Sequence, residues 1–303
     1  GDNGNAGSRA APGRTIQYAI TNAAVGPGDE IRVGEGLYVE SVTNNSAASG
    51  KGRLTLKGGY DTNTWAWAPA THPSVIRPAT TNADCVYWTG VETNAITGFT
   101  LTGGRYGLYA YNCGSASSSS RTAAVHRLTH LIITNNAGHG IYLYAGRHGM
   151  AMGNCLIARN GGLGFLKLVD NGDNSYVHNC TVVSNASDGI RDDHTWGSPI
   201  TVRGSIVANN AGYGLRRDSG SAIRAYSSCI WGNALGNFRG TAGVALYGGT
   251  LVANPAFAGA GDYRLQSSSP CVARGPSLAG DPVLAVTNDL EGTARSGAFD
   301  MGC

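Results

Sequence analysis

The sequence contains little charge, few lysines and no long apolar run. Charged residues make up 14% of the 303 residues, the net charge is +3, and the three lysines are Lys51, Lys57 and Lys167. Because lysines and arginines form no run, neither nucleic acid nor an anionic membrane is expected as the main partner. Because no apolar stretch approaches the length of a membrane span, no transmembrane helix is expected either.

The seven cysteines follow no metal-binding pattern. The sequence has no CxxC pair and no His/Cys set at zinc spacing, which excludes a structural zinc site. Either Cys271 with Cys303 or Cys85 with Cys113 could form a disulfide, and the sequence leaves both pairings open. The odd number of cysteines leaves at least one free thiol.

Between residues 131 and 233 the sequence repeats with a period of about 25 residues, which is typical of a solenoid. Short runs rich in Ile, Val and Leu, bounded by Gly, Asn and Ser, predict strands rather than helices. The repeat contains an asparagine column and a cysteine/serine column, at Asn135, Asn160, Asn185 and Asn210 and at Cys155, Cys180, Ser205 and Cys229. We therefore predict an all-β parallel β-helix with both columns in its scaffold, in which residues one coil apart lie about 4.8 Å from each other.

The repeat divides the chain into three parts of a single domain, residues 1–303. Residues 1–30 are predicted to form an N-terminal cap, because residues 14–25 carry apolar side chains at helical spacing. Residues 31–250 are predicted to form the coils, and residues 251–303 a C-terminal coil and cap. Caps are needed because the uncovered edge of a coil would pair with other chains.

Several segments resemble secreted bacterial proteins of the pectate-lyase-like superfamily, especially those with a choice-of-anchor Q region. The resembling segments are PGDEIRV (27–33), GLYVE (36–40), KGGYD (57–61), NPAF (254–257), GDYRL (261–265), SPC (269–271), DLEG (289–292) and FDMG (299–302). The resemblance implies a right-handed parallel β-helix that is exported from a bacterial cell or displayed on its surface. The sequence opens without a signal peptide, so we expect a mature or trimmed start. The superfamily contains lyases, hydrolases, epimerases and inactive binding proteins, so the fold alone does not fix the chemistry.

Aligning the coils on their Gly-apolar pairs places two columns of side chains on one outer face. The first column is Tyr109, Tyr142, Leu166, Arg191 and Arg216, with Tyr87 one coil earlier, and the second is Tyr111, Tyr144, Leu168, Asp193 and Asp218. The face therefore changes from tyrosines to charges along the axis. Like charges at this spacing repel by roughly 3 kcal/mol at an effective dielectric constant of 20. Diagonal Arg to Asp pairing offsets much of this repulsion, and the remainder favours a bound counter-ion.

A third column, Lys167, Asp192 and Arg217, lies between the other two. Strict alternation along the strands would bury these side chains. Because a buried ionic triad is costly, we predict instead that the strands end here and the three residues turn outward into the site.

These columns predict a polysaccharide lyase that cleaves a uronic-acid-containing glycan by β-elimination, a reaction that needs a base and a sink for developing charge. The predicted catalytic residues are Lys167, Arg191, His194, Arg216 and Arg217, with Lys167, Arg216 or His194 as the base and Arg191 and Arg217 on substrate carboxylates. Tyr109, Tyr142, Tyr144 and His139 are predicted to bind substrate, and Asp192, Asp193 and Asp218 to hold Ca²⁺. The paired Asp residues with adjacent Arg are similar to the calcium-binding arrangement of pectate lyases.

Two other functions fit the same columns. A glycoside hydrolase could use Asp192, Asp193 and Asp218 as acid and as base or nucleophile. A non-catalytic glycan-binding or surface-display protein could use the tyrosine face alone. In each case we expect an acidic polysaccharide or other glycan as the partner, and a monomeric protein.

Overall fold

The computed structural model describes residues 1–90, 93–114, 125–168, 174–193, 198–218, 222–240 and 243–303. Over these residues the chain forms two short helices, α1 (Ile16–Thr21) and α2 (Ser46–Ser49), and 27 strands. The first nine strands are β1 (Glu30–Gly34), β2 (Gly36–Tyr38), β3 (Val42–Asn45), β4 (Thr55–Tyr60), β5 (Ser74–Ile76), β6 (Val86–Gly90), β7 (Ala95–Thr97), β8 (Phe99–Thr102) and β9 (Leu108–Cys113). The next nine are β10 (Val125–Thr129), β11 (Ile132–Thr134), β12 (Ile141–Gly146), β13 (Gly149–Gly153), β14 (Leu156–Ala158), β15 (Phe165–Leu168), β16 (Ser175–His178), β17 (Thr181–Val183) and β18 (Ile190–Asp192). The last nine are β19 (Ile200–Arg203), β20 (Ile206–Ala208), β21 (Tyr213–Arg217), β22 (Ile223–Tyr226), β23 (Cys229–Trp231), β24 (Gly236–Arg239), β25 (Val244–Tyr247), β26 (Phe257–Gly259) and β27 (Asp262–Leu265).

Twenty-five of the strands form three parallel sheets that run the length of the coils, and β26 and β27 form a separate antiparallel pair. Sheet 1 has the order β1-β4-β7-β10-β13-β16-β19-β22-β25, sheet 2 the order β2-β5-β8-β11-β14-β17-β20-β23, and sheet 3 the order β3-β6-β9-β12-β15-β18-β21-β24. Each coil therefore contributes one strand to each sheet, and each strand pairs with its counterpart one coil away. The predicted all-β, single-domain parallel β-helix is confirmed.

The core lies inside the coils, where apolar side chains stack from one coil to the next. The apolar residue after each repeat glycine points inward and is fully buried, as predicted, at Leu108, Ile141, Phe165, Ile190 and Leu215. Alternation along the strands places every second side chain in this core.

The asparagine column lies at the corner between sheets 2 and 3, with one correction to its membership. The buried column is Asn136, Asn160, Asn185, Asn210 and Asn233, joined by side-chain hydrogen bonds of 2.9–3.0 Å. Asn135 is instead the exposed corner residue before the column, with a left-handed φ of 54°. Arg159, Ser184 and Asn209 occupy the same corner position with φ of 54–56°.

The cysteine/serine column also changes at its last member. Ile206 pairs with Cys229 across sheet 2, so the buried residue that follows Ser205 in the column is Ser228. The backbone N–H of Ser205 donates to Ser228 Oγ at 3.2 Å. Cys229 consequently points away from the interior of the coil.

The two ends of the coil are covered differently. At the N-terminus, α1 inserts Ile16 and Ile20 into the core, and the Glu40 carboxylate accepts hydrogen bonds from the first-turn amides of Ile16 and Gln17 at 2.8 and 2.9 Å. A carboxylate at a helix N-terminus is stabilising, which supports the predicted cap. None of the described helices is long and apolar enough to cross a membrane.

Residues 251–303 are here called the strap. Leu251 still pairs in parallel with Cys229 and so continues sheet 2 by one position. The strap then runs back along the outer face of sheet 2 and the adjoining edge of sheet 1, where Gly302 N–H donates to Gly204 O at 2.7 Å and Arg203 pairs with Asp281 at 2.9 Å. Leu246, on the last strand of sheet 1, consequently stays 46% exposed. The predicted C-terminal cap is therefore a lateral cover.

Candidate active site

The two outward columns predicted on one face are present on sheet 3. Pairing of successive strands aligns the first column, Tyr87, Tyr109, Tyr142, Leu166, Arg191, Arg216 and Arg239. It also aligns Thr89, Tyr111, Tyr144 and Leu168 in the second column, and Asp193 and Asp218 directly follow β18 and β21. Along the helix axis the outer face of sheet 3 therefore changes from aromatic rings to charges.

A further column that the sequence analysis missed borders this face. The residues before each repeat glycine align as Tyr106, His139, Leu163, Asp188 and Tyr213, because the carbonyl of each of the last four accepts from the repeat glycine amide of the preceding coil. Their common spacing relative to the Gly-apolar pair could have revealed them. We call Tyr87, Tyr106, Tyr109, Tyr111, His139, Tyr142, Tyr144, Arg191, Arg216 and Arg239 together the tyrosine–arginine surface.

The aromatic part of this surface is a connected cluster of rings. Tyr109 and Tyr142 stack at 5.1 Å and 14°, and Tyr106 stacks on His139 at 5.2 Å and 6°. Tyr144 stacks on Tyr142 at 5.4 Å and is 37% exposed. The predicted substrate-binding residues Tyr109, Tyr142, Tyr144 and His139 are thus brought together in one half-exposed patch, which offers flat apolar faces and phenolic hydroxyls.

The protonation states in this patch follow from its contacts. His139 Nδ1 accepts the backbone N–H of Leu163 at 3.0 Å, which leaves the proton of the neutral ring on Nε2. Burial and then the nearby Arg191 lower the pKa of His139, so the neutral form dominates. Burial raises the pKa of Tyr109 and of Tyr142. These three side chains can therefore donate hydrogen bonds to a ligand at neutral pH.

The charged part of the surface is a set of close ion pairs. Arg191 contacts Asp193 at 2.5 Å and Arg216 contacts Asp218 at 2.7 Å, each along its own chain segment. Asp218 also contacts Arg239 of the next coil at 3.0 Å, a diagonal pairing with a residue that the sequence analysis did not name. Hydrogen bonding to Arg216, followed by smaller contributions that include Arg239, holds the pKa of Asp218 below its usual value.

Arg216 has a second carboxylate partner that the sequence analysis did not include. The buried Asp188 lies 3.4 Å from Arg216 and also accepts the backbone N–H of Tyr213 at 2.7 Å. Asp188 thereby fixes the guanidinium of Arg216 between the first outward column and the further column that contains Asp188.

The described carboxylates do not fit a calcium site. Asp193 and Asp218 each face arginine guanidinium groups rather than one another, and a cation ligand set would have to displace those donors. Among the described residues no group of three or more His, Cys, Asp or Glu side chains could hold a metal ion. These contacts do not support the predicted Ca²⁺ site, and calcium binding stays a prediction.

The third column does not turn outward, and that prediction is wrong. Lys167, Asp192 and Arg217 are each 0% exposed, because alternation continues to the ends of β15, β18 and β21. Arg217 forms an ion pair with Asp192, and Lys167 Nζ donates to the Ser198 carbonyl at 2.6 Å. The ion pair and the hydrogen bond to the carbonyl offset part of the cost of this burial. It removes Lys167 and Arg217 from the accessible catalytic groups and Asp192 from the accessible carboxylates.

His194 lies outside the described residues, so its predicted catalytic role stays a prediction. Of the carboxylates proposed for a hydrolase, Asp192 is buried and Asp218 is a strongly ionised ion-pair partner. A hydrolase needs one carboxyl group whose pKa is raised so that it can act as an acid. The pKa of Asp218 is instead lowered.

A large cavity lies elsewhere on the molecule. It has a volume of about 870 Å³ and separates the strap from the outer face of sheet 2, with Ile132, Leu156 and Ile206 in its walls. None of the predicted site residues lines it. A polymer has to pass along an open surface, so we place the candidate site on sheet 3 rather than beneath the strap.

Comparisons with known proteins agree with this architecture. The family model described as "Right handed beta helix region" matches residues 84–256. The crystal structure of pectate lyase Pel9A superposes with a TM-score of 0.56 at 15% identity, covering 100% of this chain and 93% of that chain. An alginate lyase from Paenibacillus sp. str. FPU-7 superposes with a TM-score of 0.48 at 15% identity, covering 78% of this chain and 94% of that chain.

No curated protein sequence gives a significant match. At 15% identity the likeness to the pectate lyase concerns the fold. The family match covers more than half of the chain, and the three-sheet coil agrees with it. The chain therefore belongs to the family of right-handed β-helix proteins.

Proposed function

We propose that the chain is a polysaccharide lyase that binds a uronic-acid-containing glycan along the tyrosine–arginine surface. The observation that carries this proposal is the first outward column of sheet 3, which leads from stacked tyrosines past Leu166 to Arg191, Arg216 and Arg239. Aromatic faces bind sugar rings and arginines bind carboxylates, so one continuous column offers both kinds of contact that an acidic glycan needs.

The surface would hold the glycan parallel to the helix axis. Coils stack about 4.8 Å apart, so a chain lying along the axis would meet rings on the coils of Tyr109 and Tyr142, Leu166 on the next coil, and guanidinium groups on the coils of Arg191 and Arg216. Tyr142 and Tyr144 would pack against sugars at one end, and Arg191 and Arg216 would bind carboxylates at the other. The arginines would exchange part of their contact with Asp193 and Asp218 for the substrate.

β-Elimination removes the proton on C5 of the uronic acid and breaks the bond between C4 and its glycosidic oxygen, leaving a C4–C5 double bond. The leaving oxygen takes up a proton, which the protonated phenol of Tyr142 could supply. The guanidinium of Arg191 or Arg216 would stabilise the negative charge that develops on the carboxylate side of the sugar. His194 is our proposed base for the C5 proton.

A non-catalytic glycan-binding protein is the second candidate. It is favoured by the ion pairing of the half-buried Arg191 and Arg216 and by the burial of Lys167 and Arg217. In this case the same surface would bind an acidic glycan without cleaving it.

The two candidates separate in one assay. Pectate, alginate and glycosaminoglycans are incubated with the protein, and the ultraviolet absorbance of the new double bond is followed beside binding to the same glycans. A lyase gives rising absorbance that His194→Ala abolishes while binding persists. Binding without absorbance selects the second candidate, and no binding to any acidic glycan contradicts both. If EDTA abolishes turnover and added Ca²⁺ restores it, a metal site beyond the described carboxylates is required.

Substitutions on the surface should weaken binding of the responsive glycan. Tyr142→Ala removes the central ring of the cluster, and Arg216→Gln removes a guanidinium. Each is expected to raise the dissociation constant about tenfold, since buried aromatic and arginine contacts contribute more than about 1 kcal/mol. Tyr247→Ala and Arg224→Gln are matched controls, because both residues are exposed on sheet 1. Equal losses in variants and controls, measured by calorimetry, would contradict this placement.

The remaining parts of the proposal concern the location, the oligomeric state and the family type of the protein. We propose that the protein acts outside a bacterial cell or on its surface, as a monomer, and that it belongs to the choice-of-anchor Q type. The supporting observations are the resembling segments at 27–33 and 254–271. Fractionation of the source culture and size-exclusion chromatography test the two physical statements.

A further inference from the structure

Two cysteines meet where the strap packs on sheet 2. Cys229 opens β23 and pairs with Ile206 in register, so both side chains face the strap. Cys271 belongs to the strap. Both cysteines are 0% exposed and share an apolar cluster with Ile206, Ala208 and Met301.

The two thiols lie close enough to interact with one another. Cys229 Sγ also lies 3.1 Å from the carbonyl oxygen of Ala253. The contact lowers the pKa of Cys229 and raises the pKa of Cys271.

We propose that Cys229 and Cys271 are joined by a disulfide that fastens the strap to sheet 2. The bond forms by exchange with a small-molecule disulfide such as oxidised glutathione. The Cys229 thiolate attacks one sulfur of the oxidant and releases one thiol. Cys271 then attacks the mixed disulfide at Cys229, gives up its proton and releases the second thiol. Two protein thiols are oxidised and one external disulfide is reduced to two thiols.

The other contacting pair, Cys155 and Cys180, is less suited to a disulfide. These residues occupy equivalent positions on adjacent coils and are both buried in the core. Equivalent residues of neighbouring strands lie about 4.8 Å apart, whereas a disulfide brings the Cβ atoms to about 3.5–4.5 Å. Cys271 is not held at this spacing, because it comes from a separate segment that approaches sheet 2 from outside.

Burial also determines when the bond forms. A thiol that is 0% exposed cannot meet an external disulfide, so exchange has to occur before the strap is fully docked. Once formed, the bond closes a loop of about 40 residues and restricts opening of the strap. We expect proteolysis within the strap to be at least about tenfold slower in the oxidised protein than in the reduced protein.

The test begins with protein that is refolded from denaturant in a glutathione redox buffer. Free thiols are alkylated in denaturant, and peptides are mapped by mass spectrometry without reduction. The expected result is a cross-linked pair of peptides containing Cys229 and Cys271, with the other five cysteines alkylated. Adding a reductant should restore alkylation of all seven cysteines and accelerate cleavage of the strap.

Cys229→Ser and Cys155→Ser provide the variant and its matched control. Cys229→Ser should lose the cross-link and cleave at the reduced rate in either buffer, whereas Cys155→Ser should keep the cross-link. Seven alkylated cysteines after oxidative refolding, or a cross-link between other cysteines, would overturn the proposal. The reductant comparison on the unaltered protein decides the question even if a variant fails to fold. Glycan binding plays no part in either readout, so this test is independent of the proposed function.

Discussion

Replacing Asn185 by alanine is expected to lower the free energy of unfolding by about 3–5 kcal/mol, because it removes a whole rung of the asparagine column. Asn185 Nδ2 donates to Ile157 O at 3.1 Å and to Asn210 Oδ1 at 2.9 Å. Its Oδ1 accepts from the backbone and the side chain of Asn160 at 3.1 and 3.0 Å. The variant leaves these four groups buried without that partner, and each unsatisfied group costs about 1–3 kcal/mol before relaxation.

The measurement is urea denaturation of the variant beside Asn63→Ala. Asn63 is exposed on a loop, so its replacement should change the free energy of unfolding by no more than about 0.5 kcal/mol. If Asn185→Ala lowers the free energy of unfolding by less than about 1 kcal/mol, the asparagine column does not stabilise the corner between sheets 2 and 3. A shallower denaturant slope in the variant would indicate that coils on the two sides of the gap unfold separately, as nearest-neighbour coupling in solenoids permits.

The sequence period was sufficient to predict both the coil and the face that carries the candidate site. Side chains two and four positions after the repeat glycine keep the same orientation whenever the strand itself is regular. Tyr142 and Arg191 therefore lie where alternation places them. The further column that contains Asp188 follows the same rule. Including the residue directly before each repeat glycine in the alignment would have predicted it.

Changes in coil length limited the accuracy of the two scaffold columns. The step from Asn136 to Asn160 is one residue shorter than the regular period, so counting back 25 residues reaches the corner residue Asn135 instead. The last coil is shorter again, which places Ser228 rather than Cys229 in the interior. In a strand a shift of one residue exchanges the two faces. A count that is wrong by one residue therefore exchanges the inward and outward assignments of the side chains in that coil.

The strap could not be placed from the sequence, because it lacks a repeat. Its path depends on individual long-range contacts, such as Arg203 with Asp281 and Arg127 with the carbonyl of Val283. Such contacts leave no periodic signal. The same reason explains why the contact between Cys229 and Cys271 was not among the disulfides considered.

The burial of Lys167, Asp192 and Arg217 was missed for an energetic reason. A general rule on the cost of buried charge favoured an outward turn. That rule gives the cost of removing charges from water, and here the pairing of Arg217 with Asp192 and the bond from Lys167 to the Ser198 carbonyl offset part of that cost. Ser198 lies 31 residues after Lys167, so the strand pattern cannot reveal this contact.

Breaking this buried pair is the second large effect that we expect. Asp192→Asn and Arg217→Met should each lower the free energy of unfolding by about 3–5 kcal/mol, because each leaves the partner's charge in the interior without its counter-charge. The combination of Asp192→Leu with Arg217→Met should cost less than the sum of the single substitutions, since apolar side chains of similar size avoid the desolvation of both ions. Urea denaturation of the single and double variants measures this coupling, and the exposed Arg224→Met provides the matched control.

The double variant also separates a scaffold role of Arg217 from a catalytic one. If Arg217 acts only inside the coil, a folded double variant retains glycan binding and any lyase activity, because Arg191 and Arg216 on the outer face are unchanged. If the single substitutions leave stability unaffected while activity is lost, the side chain reaches the surface in solution, and Arg217 returns to the catalytic residues. The sign of the coupling and the activity of the folded double variant are independent readouts, so neither result can be produced by unfolding alone.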